Sequence, residues 1–217
     1  MNTNHNITAV IFDLFGTLVD FGVHHHPFRQ LLKWARENGR HVRPDDARTV
    51  MTINGGLEAI AHGLKIAPPP DLLQKLQEEI SEELESLALF DDVIPVLRDL
   101  QSQGLGIGIS SNLAQPYGRA IQNLLAEFDF ELFLSYKLAA IKPDIQMYES
   151  ILTRFNCAAN KCLFIGDTHE ADYAGPIGVG MKALHLMRSG ATLPQHIGSL
   201  NEVLRFLGKH TRDEYDA

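Results

Sequence analysis

The chain has 217 residues, 45% of them hydrophobic and 21% charged, which is typical of one soluble globular domain or of a domain carrying an insertion. Its formal net charge of −8 argues against a nucleic-acid partner, because no basic face is available to neutralise a phosphate backbone. A small phosphorylated ligand is still compatible with this charge, since it needs only one or two local cations.

The N-terminal residues and the cysteines bear on location. Residues 1–6 are polar and lack the charged start of a signal peptide. No apolar run approaches the roughly 18 residues that span a bilayer. The two cysteines, Cys157 and Cys162, form no disulfide framework and fit a reducing compartment. We therefore predict a cytoplasmic protein with no membrane or nucleic-acid partner, and the choice between monomer and homodimer stays open.

The first predicted element is a strand that ends at a carboxylate. Residues 7–12 form a near-continuous apolar run of strand length, as in strands buried on both faces of a sheet. Asp13 follows this run, and Gly16 and Thr17 form a sharp turn. Open α/β sheets carry their chemistry at the carboxyl ends of the strands, which makes Asp13 a candidate catalytic residue. A cap or turn role for Asp13 is the alternative.

The segment 21–90 predicts helices without a strand. Its apolar residues recur at helical spacing in two stretches, first Phe28, Leu31, Leu32 and Ala35, and later Leu73, Leu76, Ile80, Leu84 and Leu87. Three histidines, His24 to His26, precede the first helix and are expected in a solvated loop, with one or two of them near a cleft. Because this unit follows the first strand, it can lie over the strand ends.

From residue 91 onward, strands alternate with helices. Strand-length apolar runs occupy residues 105–110, 132–135, 162–166 and 181–186, and helices are predicted at 92–103, 116–127, 145–155 and 200–207. This alternation is typical of a parallel sheet with helices on both faces. The predicted fold class is therefore α/β: a Rossmann-like, doubly wound core of residues 1–20 and 91–217, with an inserted all-helical domain of residues 21–90.

Four polar clusters follow the predicted strands at one edge of the sheet. They are Asp13, then Ser111 with Asn112, then Lys142 with Asp144, and finally Asp167 with Asp172. Each alone is explained as a helix cap or a surface residue. Together they suit phosphoryl transfer, because carboxylates can hold Mg²⁺, a lysine and a hydroxyl can offset phosphoryl charge, and Asp13 can attack phosphorus. A helical cover would exclude water during the attack.

The same four clusters resemble the motifs of the haloacid dehalogenase-like (HAD) hydrolase superfamily, most of whose members are Mg²⁺-dependent phosphatases. The motifs are residues 13–18 (Asp-Leu-Phe-Gly-Thr-Leu), Ser111-Asn112 after a hydrophobic strand, Lys142-Pro143-Asp144 followed by Tyr148, and residues 166–172 (Gly-Asp-Thr-His-Glu-Ala-Asp). The resemblance runs from residue 7 to about residue 186. The insert resembles the helical cap of this superfamily by position and helicity alone.

The resemblance implies catalytic and substrate-binding roles. Asp13 would be the nucleophile, and water would regenerate it in a second step. Ser111 would bond the transferring phosphoryl oxygens, and Lys142 would neutralise them together with Asp13. Three further motif residues are expected to contact the substrate: Gly16, Thr17 and Asn112.

The resemblance also implies a Mg²⁺ site. Asp13 and Asp167 would ligate the metal through their carboxylates, and Phe15 would do so through its backbone carbonyl. Asp172 would bind the metal through water or orient its neighbours. The dehalogenases of the superfamily expel halide without Mg²⁺, so the presence of Asp167 and Asp172 favours a metal-dependent enzyme.

Phe15 departs from the phosphatase pattern. Phosphatases of the superfamily usually carry a second aspartate at this position, which protonates the leaving oxygen and later activates water, whereas its dehalogenases carry tyrosine. Phenylalanine cannot transfer a proton, and general acid–base help is worth roughly 10²–10⁴ in rate. A substrate with a good leaving group would need no such help. Alternatively His169, or one of His24 to His26, supplies the proton.

These patterns rank three functions. The first is a Mg²⁺-dependent phosphatase acting on a small phosphorylated metabolite through an aspartate nucleophile. The alternatives are a carbon–halogen hydrolase similar to 2-haloacid dehalogenases and a weakly active, ligand-binding relative. Metal carboxylates without a use in dehalogenation place the phosphatase first. The substrate itself is not predicted, because the insert that would select it carries no interpretable motif.

Overall fold

The sheet that organises the molecule is parallel and has six strands. A computed structural model describes residues 7–190, 193 and 196–212, apart from the side chains of 120, 122 and 209–212. Residues 1–6, from which we predicted that the chain has no signal peptide, lie outside the described residues. The strands in the described residues are β1 (Ala9–Phe12), β2 (Val19–Phe21), β3 (Leu87–Leu89), β4 (Gly106–Ser111), β5 (Glu131–Leu134), β6 (Cys162–Gly166), β7 (Lys182–Leu186) and β8 (His196–Ile197). β2 and β3 form a separate two-stranded sheet. The sheet has the order β5-β4-β1-β6-β7-β8, with β1 between β4 and β6.

Helices cover both faces of this sheet. They are α1 (Pro27–Glu37), α2 (Asp46–Thr52), α3 (Leu57–Gly63), α4 (Pro70–Glu85), α5 (Val93–Ser102), α6 (Ala120–Leu124), α7 (Ser135–Leu138), α8 (Ile145–Phe155), α9 (Gly175–Gly178) and α10 (Asn201–Arg212). Short 3₁₀ segments occupy Gln115–Arg119 and Ala159–Lys161, and a π-helical segment occupies His169–Ala174. No helix in the described ranges is long and apolar enough to cross a bilayer.

The pleat of β1 explains the two layers. All four residues of β1 are fully buried. Val10 and Phe12 belong to one apolar cluster, which includes buried residues of α5 and α10. Ala9 and Ile11 belong to a second cluster, which includes buried residues of α8. Since neighbouring side chains of a strand point to opposite faces, both faces of the sheet are covered. The predicted α/β fold class with a helical insert is confirmed.

The insert packs on the core through the apolar stripes predicted from its sequence. Pro27 begins α1, where its fixed φ suits the first helical position, and Leu31 and Ala35 are buried one and two turns further on. Leu76 and Ile80 of α4 are buried in the same apolar cluster as Leu31. That cluster also contains residues of β1 and α5, so apolar packing continues from the insert into the core.

The expectation that residues 21–90 contain no strand is wrong. β3 (Leu87–Leu89) pairs antiparallel with β2, in the register Val19↔Leu89 and Phe21↔Leu87, so two short strands flank the four helices α1 to α4. Leu87 continues the helical spacing of α4 in the sequence, but the helix ends at Glu85, with Ser86 as its C-cap. The pairing joins segments almost 70 residues apart, which no local pattern shows. The boundaries proposed for the core (1–20 and 91–217) and insert (21–90) stay predictions.

Candidate active site

Three central strands bring the predicted catalytic motifs to one edge of the sheet. Phe12 of β1 lies beside Ile109 of β4 and Ile165 of β6 in parallel register. The residues that follow these positions therefore emerge side by side. They are Asp13 after β1, Ser111 at the end of β4 and Asp167 after β6. Asp13 and Asp167 thus lie at the ends of two neighbouring strands, β1 and β6.

Lys142 lies at the centre of the cluster. Its ammonium group donates to a carboxylate oxygen of Asp13, to one of Asp172 and to the backbone carbonyl of Ser110, each at 2.7 Å. The lysine is 3% exposed, and its Nζ lies 5.2 Å from the centre of the Phe164 ring. A buried ammonium with three oxygen partners is held in one position, so Lys142 fixes Asp13 and Asp172 relative to each other.

Asn112 positions this lysine. Its side-chain nitrogen donates to the backbone carbonyl of Lys142 at 2.9 Å, and its side-chain oxygen accepts from the backbone N–H of Lys142 at 2.8 Å. The amide therefore ties the end of β4 to the loop that carries the lysine. The predicted contact of Asn112 with substrate stays a prediction beside this observed structural contact.

The three carboxylates of Asp13, Asp167 and Asp172 converge, with one oxygen of each lying within 4.8 Å of the others. Two glycines make room for this approach. A Cβ on Gly16, whose φ is +78°, would lie 2.2 Å from Asp167 Oδ2, and one on Gly166 would lie 2.4 Å from Asp172 Cγ. The Gly16 of the first motif thus serves the carboxylate of the fourth.

The charges in this cluster do not balance. Burial raises the pKa of Asp13 to about 7, and the negative charges of Asp172 and Asp167 add to this rise while Lys142 opposes it. Partial desolvation and the negative charge of Asp172 also raise the pKa of Asp167, although part of this residue is exposed to solvent. Burial acts to lower the pKa of Lys142, but Asp13 and Asp172 outweigh burial and raise it. Three carboxylates facing one ammonium are a donor set that fits a divalent cation with a preference for oxygen.

The remaining motif residues line or support this edge. Ser111 is 2% exposed and ends β4 beside Leu134 of β5. Thr17 is fully enclosed, and its hydroxyl has no hydrogen-bond partner among the described residues. Its backbone carbonyl accepts from Arg188 at 2.6 Å. The substrate contacts predicted for Gly16 and Thr17, and the metal contact predicted for the Phe15 carbonyl, stay predictions.

Phe15 belongs to an aromatic cluster. Its ring stacks on Phe21 of β2, with centroids 4.7 Å apart and planes at 20°, and meets the edge of Tyr117 at 6.1 Å. These rings line a pocket of about 340 Å³ between the insert and the core. Tyr117 and the insert residue Glu83, which also lines this pocket, were not predicted from the sequence. Glu83 lies among several glutamates of α4 that look like a solvated helix face. Its sequence neighbours therefore do not indicate that it is buried, with only 4% of its surface exposed.

The histidines separate into different surroundings. His24 and His26 line the pocket that contains Phe15. The ring of His25 instead bonds the exposed Glu82 at 2.7 Å. His169 packs against Tyr173 and against His185, whose Nε2 lies 2.9 Å from the backbone carbonyl of Asp167. Of the histidines predicted to replace the missing acid, two are therefore in the pocket and His169 is in a separate cluster.

Two arginines for which we predicted no role from the sequence, Arg188 and Arg48, connect segments around the site. Arg188 follows β7 and forms a bidentate ion pair with Asp92 at 3.0 and 3.1 Å, in addition to its bond to Thr17. Arg188 could have been predicted as a site residue, because it lies two residues after the end of β7, where polar residues of the site are expected. Arg48 of α2 bonds Asp144 of the third motif at 2.6 and 2.8 Å. This ion pair joins the insert to the core, and no sequence pattern predicts it, because the two residues are 96 positions apart.

A six-stranded parallel sheet with a buried aspartate, a buried lysine and an acidic pair at its carboxyl edge is the arrangement expected of the hydrolase superfamily that the four motifs resemble. The chain belongs to the haloacid dehalogenase-like hydrolase family, whose model matches residues 7–180. The family assignment made from the four motifs is thereby confirmed.

Curated relatives match about half of the chain. A sesquiterpene phosphatase of Aspergillus oryzae is 31% identical over 99 residues, which are 45% of this chain and 50% of that protein. A ribulose-1,5-bisphosphate 5-phosphatase of Halopiger xanaduensis is 32% identical over 118 residues, 54% of this chain and 49% of that protein. The chain thus spans about half the length of the curated relatives it matches.

Solved structures share the fold over almost their whole length. A HAD phosphatase from Thermococcus onnurineus has a TM-score of 0.63 at 21% identity and covers 93% of this chain and 98% of its own. The HAD-hydrolase YfnB of Bacillus subtilis, bound to magnesium, gives 0.62 at 20%, covering 94% and 99%. A 2-haloacid dehalogenase from Pseudomonas syringae gives 0.62 at 22%, also covering 94% and 99%. Phosphatase and dehalogenase share this fold equally well, so the site must distinguish them.

Proposed function

We propose that the protein is a Mg²⁺-dependent phosphatase that hydrolyses a small phosphorylated metabolite through a covalent step on Asp13. The observation that carries this proposal is the buried Lys142, which bonds Asp13 and Asp172 at 2.7 Å beside the third carboxylate, Asp167. One ammonium leaves negative charge in excess at a place where a phosphoryl group would add more. A cation is needed before such a substrate can bind.

The donor set suits magnesium. Asp13, Asp167 and the backbone carbonyl of Phe15 would hold the ion, and Asp172 would act through water or by orienting its neighbours. Bound Mg²⁺ supplies positive charge that offsets the charge of the phosphoryl oxygens. The space that Gly16 leaves for Asp167 supports this assignment, since a side chain there would displace the carboxylate.

The residues of the chain would then act in two steps. A carboxylate oxygen of Asp13 attacks phosphorus, the bond between phosphorus and the alcohol oxygen breaks, and the alcohol leaves with a proton. Water next attacks phosphorus, the bond to Asp13 breaks, and phosphate is released. Lys142 holds Asp13 in place throughout, and the Ser111 hydroxyl donates to a phosphoryl oxygen. Gly16, Thr17 and Asn112 border the same substrate.

The proton for the leaving alcohol comes from the pocket in this proposal. Phe15 stands where a second aspartate would act, and its ring is stacked in the aromatic cluster. His24 and His26 line the same pocket, whereas His25 is paired with Glu82 and His169 packs elsewhere. Their position supports His24 or His26 as the proton donor over the other two histidines. A substrate with a good leaving group would make either donor unnecessary.

The curated relatives support phosphatase chemistry. The matched Aspergillus oryzae and Halopiger xanaduensis proteins are both phosphatases, one named for a sesquiterpene and one for ribulose-1,5-bisphosphate. What they share is the release of phosphate, with organic parts of different chemistry. We place the reaction in the cytoplasm, which the free thiols of Cys157 and Cys162 support.

Dehalogenation is the second candidate, because the aromatic residue at position 15 resembles the tyrosine of dehalogenases. The carboxylate of Asp167 speaks against it, since a third acidic group beside Asp13 would repel the carboxylate of a 2-haloacid unless a cation were present. A ligand-binding protein without turnover is the third candidate. These three functions predict different products from the same protein.

The deciding experiment measures product release with and without Mg²⁺. We expect phosphate from at least one member of a panel of phosphate esters and acyl phosphates, loss of that activity with EDTA, and loss with Asp13→Asn. Release of halide from 2-haloacids without metal, and no phosphate from any panel member, would overturn the proposal. A metabolite that raises the melting temperature without any turnover would favour the binding protein.

A further inference from the structure

We infer that the pocket beside the catalytic edge selects phosphate monoesters of apolar alcohols, such as prenyl, alkyl or aryl alcohols, over sugar and polyol phosphates. This inference rests on the proposed phosphatase function and names its substrate class. The pocket of about 340 Å³ is of a size that holds a small ligand. Phe15 and Asn112 belong both to its lining and to the motifs around Asp13, so a phosphoryl group at Asp13 would direct its organic part into this space.

The lining is apolar from both sides. The insert contributes Phe21, Phe28, Leu32, Val50 and Met51, and the core contributes Phe15, Leu113, Ala114 and Tyr117. Four of these side chains are aromatic and fix one another. Tyr117 presents its ring edge-on to Phe15 at 6.1 Å, to Phe21 at 5.9 Å and to Phe28 at 6.0 Å. Rings packed this way form a preorganised apolar wall.

The buried Glu83 and the half-buried Asn112 of the pocket already bond groups of the protein. One oxygen of Glu83 accepts from the backbone N–H groups of His25 and His26 at 2.7 and 2.9 Å, and the other accepts from the Tyr117 hydroxyl. The amide of Asn112 is bonded at both ends to the backbone of Lys142. Both side chains are held by these bonds to protein groups, so they offer a sugar hydroxyl on the aromatic wall little replacement for the water that it would lose on entering.

The other polar side chains of the lining are exposed. They are His24, His26 and Arg29. An exposed group can bond a ligand at the rim of the pocket, but it does not compensate a hydroxyl placed against the aromatic wall. A polyol in this pocket would leave hydroxyls unpaired, whereas a hydrocarbon chain would remove apolar surface from water. The pocket thus discriminates by the polarity of the alcohol.

The first test compares n-hexyl phosphate with glycerol 3-phosphate and ribose 5-phosphate in the presence of Mg²⁺. We expect kcat/KM for the hexyl ester to be at least about tenfold higher, the effect typical of well-buried methylene groups. Hydroxyl groups make the polyol oxygens the better leaving groups, so leaving-group chemistry alone would give the opposite order. Equal or faster hydrolysis of the polyol esters would overturn the inference while leaving the phosphatase function intact.

A matched pair of variants locates the preference in the pocket. Met51→Gln keeps the length of the side chain and adds an amide, whereas Met51→Leu keeps it apolar. We expect the ratio of hexyl to polyol kcat/KM to fall at least about fivefold in Met51→Gln and to change less than about twofold in Met51→Leu. Equal ratios in the two variants, with similar melting temperatures, would contradict the assignment of the preference to this pocket.

Binding without turnover separates the two proposals. Calorimetry with n-hexylphosphonate and methylphosphonate, neither of which has a P–O–C bond to cleave, should show at least about tenfold tighter binding of the hexyl compound. If that difference is found but no ester is hydrolysed, the pocket inference holds and the phosphatase proposal fails. If the hexyl compound binds no more tightly, the pocket inference is overturned whatever the activity.

Discussion

At Asp13, burial and charge pairing oppose each other. Burial raises the pKa of this carboxyl to about 7, although Lys142 donates to it at 2.7 Å and favours the charged form. A proton on Asp13 and a cation ligated by Asp13 exclude each other, because a ligating carboxylate must be ionised. In the proposed magnesium site, metal binding would therefore require Asp13 to lose its proton and would depend on pH.

The apparent affinity for Mg²⁺ should rise with pH until Asp13 is ionised. Below pH 7 we expect the dissociation constant, measured by calorimetry, to increase about tenfold for each unit of decreasing pH, and above pH 8 to level off. In Asp13→Asn the amide cannot ionise, so binding should be weaker and the slope near pH 7 should disappear. The same affinity at pH 6 and pH 8 in the unmodified protein would contradict this account of Asp13.

In the proposed mechanism Phe15 supplies no proton to the leaving group, and placing a carboxyl at this position tests that proposal. Phe15→Asp places an acid beside Phe21 and Tyr117, where apolar surroundings would keep it protonated and able to donate. We expect kcat for an alkyl phosphate to rise at least about tenfold, towards the lower end of general acid catalysis. Phe15→Leu removes the ring without adding an acid and serves as the control. A Phe15→Asp enzyme no faster than Phe15→Leu would show that protonation does not limit the rate.

At this scale the sequence identified most of the cluster. Asp13, Ser111 and Asp167 were predictable because each lies at the end of a recognisable strand, and parallel strands bring their ends together. Lys142 comes after α7 instead, and it was predictable from its motif, Lys142-Pro143-Asp144. The use of Asn112 as a support for Lys142 was not predictable, because it depends on two backbone hydrogen bonds across 30 residues. The burial of Glu83 was likewise hidden in an acidic run.

Within the insert, an ion pair that is largely shielded from solvent joins the loop after α1 to the start of α2. Arg40 donates to Asp46 at 2.8 Å and to the backbone carbonyl of Leu64 at 3.0 Å, and the N–H of Arg43 donates to the same carboxylate at 2.9 Å. The hydrogen bonds from Arg40 lower the pKa of Asp46 despite its burial. Asp46 therefore organises the turn between these two helices.

Asp46→Asn should lower the free energy of unfolding by about 2–3 kcal/mol at pH 7, because it leaves the Arg40 guanidinium without its charge partner. The folded-state pKa of Asp46 lies below its unfolded value of about 3.9, so the carboxylate stabilises the fold fully above that value. Its contribution is lost as the pH falls through the lowered folded pKa. Urea titrations at pH 7 and pH 3 should thus show a smaller difference between the two proteins in acid. A difference that does not depend on pH would argue against the ion pair.

The elements also show where sequence periodicity fails. Helices α5 and α8 were predicted within one residue of their ends, because their buried residues repeat at helical spacing. The strand Leu87–Leu89 was missed, since three apolar residues after a helix look like its continuation and its partner β2 is distant in sequence. The two-residue β8 is too short for any pattern.

Across the whole molecule, one apolar cluster runs through both the insert and the core. It contains Leu31, Ile60 and Ile80 of the insert together with Val10 and Val96 of the core. Because these side chains share one buried cluster, neither part can lose its packing without exposing apolar surface of the other. We expect one cooperative transition in differential scanning calorimetry, with equal calorimetric and van't Hoff enthalpies. Two separate transitions would show that the insert unfolds independently.

The fate of water oxygen tests the central claim most directly. In a single turnover in H₂¹⁸O with Mg²⁺ and a phosphate ester that the protein hydrolyses, we predict a phosphoryl group on Asp13 in the quenched protein and ¹⁸O in the released phosphate. No ¹⁸O should enter the Asp13 carboxylate, because water attacks phosphorus and leaves both carboxylate oxygens in place. Mass spectrometry of the peptide that contains Asp13 reads both results. An Asp13 that never carries a phosphoryl group, or one that gains ¹⁸O as in the hydrolysis of a carbon ester, would contradict the account.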